Sequence, residues 1–206
     1  MDFILFFIVA AISFAGSIHI GAVNMAVVQT TLNRNLSAGM LVAIGGSIPE
    51  FIYSFLALKG LFFIQENQTI IDSINLLIIP VFLVVGLFYL FKKDDNLGDK
   101  KPTVSNGKVS FFKGFSLGML NPQLLPFWFF MLVYLNKYFI INDLSARYAF
   151  VLGTGIGAFG ILSIFAFTAH RFDKQIKVFI RRYSINTLMG YVFITLALIQ
   201  IVKIYL

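Results

Sequence analysis

The chain has 206 residues, of which 59% are hydrophobic and 12% charged. Soluble domains carry roughly 25% charged residues, so this composition excludes an ordinary water-soluble fold and indicates a protein embedded in a lipid bilayer. The net charge of +7 is spread over short segments between apolar runs, which argues against nucleic acid as a partner. The chain has no cysteine, so disulfides, thiolate metal sites and cysteine nucleophiles are excluded.

Six apolar stretches are each about 20 residues long, the length that a helix needs to cross a bilayer. Helices are expected because lipid cannot satisfy free backbone N–H and C=O groups. The sequence therefore predicts an all-α membrane protein with six transmembrane helices. The predicted spans are residues 3–23, 38–58, 69–91, 111–135, 147–169 and 187–205.

The basic residues are distributed unevenly between the predicted loops. Loops one, three and five, together with Lys113 just after loop three, carry twelve of the sixteen. The other side keeps Lys59, Lys137, Arg147 and Lys203. Because cytoplasmic loops are enriched in Lys and Arg, we expect loops one, three and five in the cytoplasm, both termini outside, and the chain in a bacterial inner membrane.

The longest loop, residues 92–110, divides the predicted helices into two groups of three. Its mixed charge, glycine, proline and asparagine are typical of a solvated cytoplasmic linker. The halves on either side are residues 1–91 and 111–206. Three helices per half would place two related copies in opposite orientations, as in the inverted repeats of many secondary transporters.

The opening helices of the two halves resemble each other. The first carries Gly21 and Asn24 near its end, and the second carries Gly118, Asn121 and Pro122. The sequence therefore predicts two inverted three-helix repeats. In such transporters the substrate site lies near the membrane midplane, between the repeats.

Among the titratable residues within the predicted spans, Glu50 and His19 are singled out. Glu50 is in the middle of the second span, where a charged group costs about 2.5 to 3.5 kcal/mol on insertion scales. Burial disfavours its charged form, so Glu50 is a candidate proton carrier; the alternative is a protonated, hydrogen-bonded structural residue. His19, near the end of the first span, is a candidate for accepting a proton or binding a substrate carboxylate; the alternative is a packing residue.

Two prolines within the predicted spans have polar neighbours. Pro49 precedes Glu50, and Pro122 lies between Asn121 and Gln123. Proline removes a backbone donor and loosens a helix, and helix breaks in transporters expose backbone groups to the solute. The predicted substrate and proton pathway residues are therefore Glu50, His19, Gly21, Asn24, Pro49, Asn121, Pro122 and Gln123.

The chain lacks the motifs of common enzymes. No HExxH, CxxC, P-loop or GxSxG pattern occurs, and most acidic residues lie in loops. The sequence therefore predicts no enzyme, no metal site and no cofactor. Glycines in the second, fourth and fifth spans suit close helix packing, and a homodimer is a further hypothesis.

One stretch carries the pattern of a known family. Gly21 falls on the glycine of a proline–glycine–proline turn, Ala38 and Gly39 fall on an alanine–glycine pair, and Pro49 with Glu50 falls on a glycine–aspartate pair. This spacing resembles the first block of the LysE/RhtB-type amino-acid exporters. Glu50 keeps the carboxylate of the family's aspartate.

A second stretch, residues 114–132, resembles the second block of the same family. That block is centred on an asparagine–proline pair, present here as Asn121 and Pro122, and usually followed by lysine. Gln123 replaces the lysine, and Ile20 and Ala22 replace the two prolines of the turn. These replacements bear on which substrate is bound more than on which fold is formed.

The resemblance implies export of amino acids or related small metabolites, driven by protons, with Glu50 carrying or gating the proton. The broken helix ends at Gly21 to Asn24 and at Asn121 to Gln123 would hold a zwitterion through backbone dipoles and amides. Two other hypotheses remain open. One is an exporter or channel for other small solutes or ions, although cation pathways usually carry several intramembrane carboxylates. The other is a non-transporting membrane scaffold.

Overall fold

The described part of the chain is helical. The computed structural model describes residues 1–18, 21–64, 107–121, 123–136 and 138–176, with helical residues at 79–80, 83–84, 86–87, 90–91, 191, 194–195, 197–199 and 201–202. These residues contain no strand, so the all-α prediction is confirmed for them. The helices with described bounds are α1 Asp2–Gly16, α2 Ala22–Asn33, α3 Leu36–Ile64, α4 Gly107–Met119, α5 Leu124–Leu135 and α6 Leu144–Arg171.

Two of these helices are long and apolar enough to cross a membrane unbroken. They are α3 with 29 residues and α6 with 28. At 1.5 Å per residue each extends about 42 Å or more, which exceeds the roughly 30 Å hydrocarbon layer. The second and fifth predicted spans are confirmed, and both helices extend beyond the predicted ends.

The first predicted span is wrong as a single helix. α1 has 15 residues and ends at Gly16, and α2 begins at Ala22 and continues to Asn33. Residues 24–33 were expected in loop one because several are polar. Asn24, Thr30 and Thr31 are buried instead, and Thr31 Oγ1 donates to the Val27 carbonyl oxygen at 2.9 Å.

The fourth predicted span is also broken. α4 and α5 are separated by residues 120–123 and bent by 63°. This break contains Asn121 and Gln123, so the expected interruption there is confirmed. α4 begins at Gly107, which makes residues 107–110 helical although they were expected in the linker.

Pro49 was expected to loosen the second span, and it does not interrupt the helix. α3 is continuous from Leu36 to Ile64 with Pro49 inside it. The side chain is fully buried and lies against Gly118 of α4. The helix therefore stays continuous at Pro49, although proline has no backbone N–H to donate, and the proline ring packs against Gly118.

The other predicted elements fall largely outside the described residues. The helical residues between 79 and 91 and between 191 and 202 lie within the third and sixth predicted spans. The remaining residues of those spans lie outside the described part, as do linker residues 92–106.

The chain forms two compact units. One comprises Met1–Leu61 with Lys100–Lys174, and the other comprises Phe62–Asp99 with Gln175–Leu206. The first unit contains α1, α2, α4, α5 and α6, together with α3 as far as Leu61.

In the first unit, α3 and α4 lie side by side and run in the same direction. Gly114 contacts the Val42 carbonyl and Gly118 contacts Pro49, so the contacts advance along both helices together. A Cβ on Gly118 would lie 2.7 Å from Pro49 Cγ. Small residues let the backbones meet this closely, which confirms the packing role predicted for these glycines.

Helices α1 and α6 are paired in the same way. Gly153 lies against Phe6 and Gly157 against Ala10, so these two helices are also parallel. A Cβ on Gly153 would lie 2.8 Å from the Phe6 carbonyl oxygen. Each short helix that precedes a break is therefore held by a glycine contact with a long helix.

The two long helices contact each other in opposite directions. Gly46 of α3 meets Leu162 of α6, and Phe51 meets Gly155. Helix α2 joins them in a shared apolar cluster, which comprises Ala26, Val27, Val42, Ala43, Leu162 and Ala166.

Basic residues gather at one end of the first unit. Arg34, just after α2, donates through Nη1 to Ser110 Oγ at 3.1 Å. Lys113 Nζ donates to Thr30 Oγ1 at 3.4 Å. Because α3 begins beside Arg34 and α6 runs opposite to α3, the end of α6 at Arg171 lies at the same end of the unit.

Candidate functional site around Glu50

Glu50 stands at the midpoint of α3, 14 residues from Leu36 and 14 from Ile64. It is 6% exposed. In a helix long enough to cross the bilayer, this position places the carboxyl group near the middle of the hydrocarbon layer. A lone charge there is costly, so the carboxyl group needs polar partners.

Two other segments supply those partners. The Trp128 indole N–H, on α5, donates a hydrogen bond to Glu50 Oε2. The Ser17 side chain, in the break after α1, hydrogen-bonds to the same carboxyl group. The Trp128 ring is fully buried and edge-on to Phe150, with ring centroids 5.7 Å apart. The carboxyl group therefore joins α3 both to α5 and to the first break.

A buried hydroxyl network surrounds the backbone of Glu50. Thr154 Oγ1, on α6, lies 3.3 Å from the Glu50 carbonyl oxygen and 3.0 Å from Ser54 Oγ. On α1, Ser13 Oγ donates to the Thr154 carbonyl oxygen at 2.5 Å. These neutral contacts fix α1, α3 and α6 to one another at the level of Glu50.

The break between α1 and α2 is bridged by a side-chain amide. Asn24, in the first turn of α2, donates through Nδ2 to the Ser17 carbonyl oxygen at 2.8 Å. Gly21 precedes α2 in an extended conformation, and its carbonyl accepts from Met25 N at 3.0 Å. Asn24 is 7% exposed. It satisfies a backbone carbonyl that the helix end leaves without an intrahelical partner.

The break between α4 and α5 is connected to α3 through a tyrosine. The Tyr53 hydroxyl donates to the carbonyl oxygen of Met119, the last residue of α4, at 2.6 Å. Within the break, Asn121 Oδ1 accepts from the Gln123 backbone N–H at 3.1 Å. Tyr53 lies one helical turn after Glu50, so neighbouring positions on α3 contact the two breaks.

The predicted pathway residues thus occupy several local environments. Glu50 contacts the first break, which contains Gly21 and is bridged by Asn24 from the first turn of α2, whereas Asn121 and Gln123 lie in the second break. Two further predicted residues, His19 and Pro122, lie outside the described residues.

Comparison with known families accounts for nearly the whole chain. The LysE type translocator family matches residues 3–203. The chain belongs to this family. No curated protein sequence and no solved structure matches it.

Family membership makes the chain a membrane transporter of small molecules. The resemblance inferred from Gly21, Glu50 and Asn121–Pro122 is therefore confirmed at the level of the family. In the described part of this translocator, no group of three or more His, Cys, Asp or Glu side chains is placed to hold a metal ion.

Sequence reasoning missed four residues of this site: Ser17, Tyr53, Trp128 and Thr154. Trp128 is the sole tryptophan of the chain, and tryptophan in membrane proteins is enriched at the interfaces. A tryptophan in mid-span was thus a signal that could have been used. Tyr53 follows Glu50 by three positions and shares its helix face. Ser17 and Thr154 gave no such signal, because isolated hydroxyl residues are common in spans.

Proposed function

We propose that this translocator exports amino acids or related small metabolites across the inner membrane, coupled to protons carried by Glu50. The observation that carries the proposal is the buried carboxyl group at the midpoint of α3, which hydrogen-bonds to Ser17 and Trp128. Intramembrane carboxyl groups with such partners are typical of proton relays. The proposal requires no enzyme chemistry, metal or cofactor.

The two helix breaks supply groups suited to a zwitterionic solute. A helix end leaves backbone N–H or C=O groups without intrahelical partners, and their dipoles favour opposite charges at the two kinds of end. The side chains of Asn24, Asn121 and Gln123 add amide donors and acceptors near these ends. We assign substrate contacts to these residues, to Gly21 and Pro122, and to His19. Pro49 shapes the packing beside Glu50.

The description of two inverted three-helix repeats is part of the proposal. A short helix, a break, a second short helix and a long helix follow one another in residues 2–64 and again in residues 107–171. The lengths are 15, 12 and 29 residues in the first series and 13, 12 and 28 in the second. Helix α1 of the first series packs along α6 of the second, and α4 of the second packs along α3 of the first. This reciprocal packing is expected of two related copies.

The basic end of the first unit supports a cytoplasmic location for loops one, three and five. Arg34, Lys113 and Arg171 lie at that end, as described above, and the positive-inside rule assigns it to the cytoplasm. Both termini would then lie outside. A cytoplasmic reporter fused after Leu206 is expected to be inactive, and activity of that reporter would reverse the assignment.

The transport proposal is tested by efflux from cells preloaded with a panel of labelled amino acids. Wild type, Glu50→Gln, Glu50→Asp and empty vector are compared at equal protein levels, with and without a protonophore. We expect efflux from wild type that falls at least tenfold in Glu50→Gln and on adding the protonophore, with partial efflux in Glu50→Asp. Normal efflux by Glu50→Gln would remove the proton role, and no efflux of any panel member would favour other solutes, ions or a scaffold.

A further inference from the structure

The partners of Glu50 differ in how they respond to its proton. The Trp128 indole N–H is a donor only, and an ionised carboxylate is an acceptor only. A hydrogen bond to the ionised form is charge-assisted and about twice as strong as its neutral counterpart. When Glu50 is protonated, one oxygen becomes a donor and the other remains a neutral acceptor. The contact is therefore lost if Oε2 takes the proton and weakened if the other oxygen does.

The other described contacts near Glu50 do not have this property. Tyr53 donates to a backbone carbonyl, and Thr154 and Ser54 share a hydroxyl contact. Ser17 offers a hydroxyl that donates to the ionised carboxyl group and can rotate to accept from the protonated one, so protonation weakens this contact without removing it. Among the described contacts of α3 with α5, the hydrogen bond between Trp128 and Glu50 therefore depends most on the proton.

Trp128 also lies near the start of α5, so loss of its hydrogen bond to Glu50 would free that end of the helix from α3. It is the fifth residue of α5, the helix that begins directly after the break at residues 120–123. Phe127 lies beside it and its ring contacts Gly16 at the end of α1. The start of α5 is thus connected to α3 by the described hydrogen bond, to α1 by the Phe127 ring and to α6 by the edge-on contact of Trp128 with Phe150. It lies next to the bend at residues 120–123.

We propose that Trp128 is a positioning residue whose indole N–H holds α5 against α3 while Glu50 is ionised and releases it when Glu50 is protonated. This inference rests on the proposed role of Glu50 as proton carrier. It adds the step by which the proton changes the helix arrangement. No covalent bond other than the O–H of the carboxyl group forms or breaks.

Other titratable groups near Glu50 must be separated from it in the test. On α3 itself the nearest is Tyr53, whose hydroxyl donates to Met119. The described contacts from α5 and α6 come from Trp128 and Thr154, which do not titrate. On the first break, Ser17 does not titrate, but His19 follows two positions later and lies outside the described residues.

The lone tryptophan makes the test specific to this contact. Purified wild-type protein in lipid nanodiscs is titrated while tryptophan emission is recorded, and every photon reports on Trp128 because the chain has no other tryptophan. We expect one pH transition in wild type and in His19→Gln, and none in Glu50→Gln. A flat wild-type titration, or a transition that survives in Glu50→Gln, would overturn the inference.

A matched control moves the fluorophore along the same helix. Val133 is 36% exposed on α5, so Trp128→Phe combined with Val133→Trp places the lone indole away from Glu50. We expect emission from this variant to be independent of pH. A transition equal to that of wild type would show that the signal does not arise at the contact between Trp128 and Glu50.

Transport by Trp128→Phe separates this inference from the proposed function. Phenylalanine keeps an aromatic ring and removes the N–H, so ionised Glu50 loses a donor and the pH of half-maximal efflux is expected to move upward. If Glu50→Gln abolishes proton-dependent efflux while Trp128→Phe keeps the wild-type pH profile, the positioning role fails and the proposed function stands. If emission titrates with Glu50 but no panel solute is exported, the proposed substrate fails and the positioning role stands.

Discussion

The two helix breaks are built alike but are fixed by different chemistry. The first, after α1, meets α3 through Ser17 and the titratable carboxyl group of Glu50. The second, after α4, meets α3 through the neutral Tyr53 hydroxyl and the Met119 carbonyl. A proton therefore alters the contact at the first break directly and leaves the described contact at the second break unchanged.

This difference assigns distinct tasks to two otherwise similar regions. The first break would respond to the proton, and the second would keep α4 in register with α3. The start of α5 belongs to both, because it follows the second break and yet contacts Glu50 through Trp128. Substitutions at each break should therefore disturb the two tasks separately.

The largest effect is expected from overpacking the helix that leads into the second break. In Gly114→Leu, the new side chain would meet the Val42 backbone. Overpacking of this kind costs about 1–3 kcal/mol or more, so the yield of folded protein and its thermal stability should fall sharply. Thermal unfolding in detergent measures this. Phe112→Leu, at an exposed position of the same helix, is the matched control and should remain close to wild type.

A smaller effect, confined to the pH profile, is expected at the first break. Ser17→Ala removes a hydrogen-bond partner of the Glu50 carboxyl group. A hydrogen bond to a charged group contributes about 1.5 kcal/mol, which corresponds to about one pH unit. Since a donor stabilises the ionised form, its loss lets Glu50 keep its proton to higher pH. Efflux measured across a pH series should therefore shift upward; an unchanged profile would argue against a role for Ser17.

The matching change at the second break should alter the rate and leave the profile in place. Tyr53→Phe keeps the ring but removes the hydroxyl that donates to Met119. Loss of one neutral hydrogen bond costs about 1 kcal/mol, or roughly a fivefold change in an equilibrium. We expect efflux to slow by up to about that factor at every pH. A displaced pH optimum would contradict the division of tasks between the breaks.

The smallest effect is expected within the second break. Asn121→Ala removes the oxygen that accepts from the Gln123 backbone N–H. This contact is local and half-buried, so its loss should lower stability by less than about 1 kcal/mol. Thermal unfolding measures that change. Substrate competition in the efflux assay is the second readout, because a weaker apparent affinity with normal stability would indicate that Asn121 also contacts the solute.

The sequence was most informative where apolar length and composition determine structure. Helices α3 and α6 could be predicted because each is long and apolar, and the family could be identified from motifs around Glu50 and Asn121. A broken helix end was expected at Gly21 to Asn24, but α1 ends earlier, at Gly16. That end was not predicted, because residues 3–23 are apolar almost throughout and carry no proline. Helix α2 was also missed, since its polar residues resemble a loop until their buried partners are known.

The candidate site was predicted only in part for a related reason. An intramembrane carboxylate stands out in a sequence because its burial is costly, so Glu50 could be identified. Its partners Trp128 and Ser17 are separated from it by 78 and 33 positions. Only tertiary packing brings them together. The break at residues 120–123 was expected from its asparagine and proline, but its connection to Tyr53 was not.

Proton movement through Glu50 is tested most directly in vesicles containing the purified protein and a trapped pH indicator. The amino acid with the largest cellular efflux is supplied as an imposed gradient, and solute flux and proton flux are recorded together. We predict that wild type moves protons against the solute, and that Glu50→Gln abolishes the proton flux while it still exchanges labelled for unlabelled solute. Proton flux in Glu50→Gln equal to that of wild type would contradict the account.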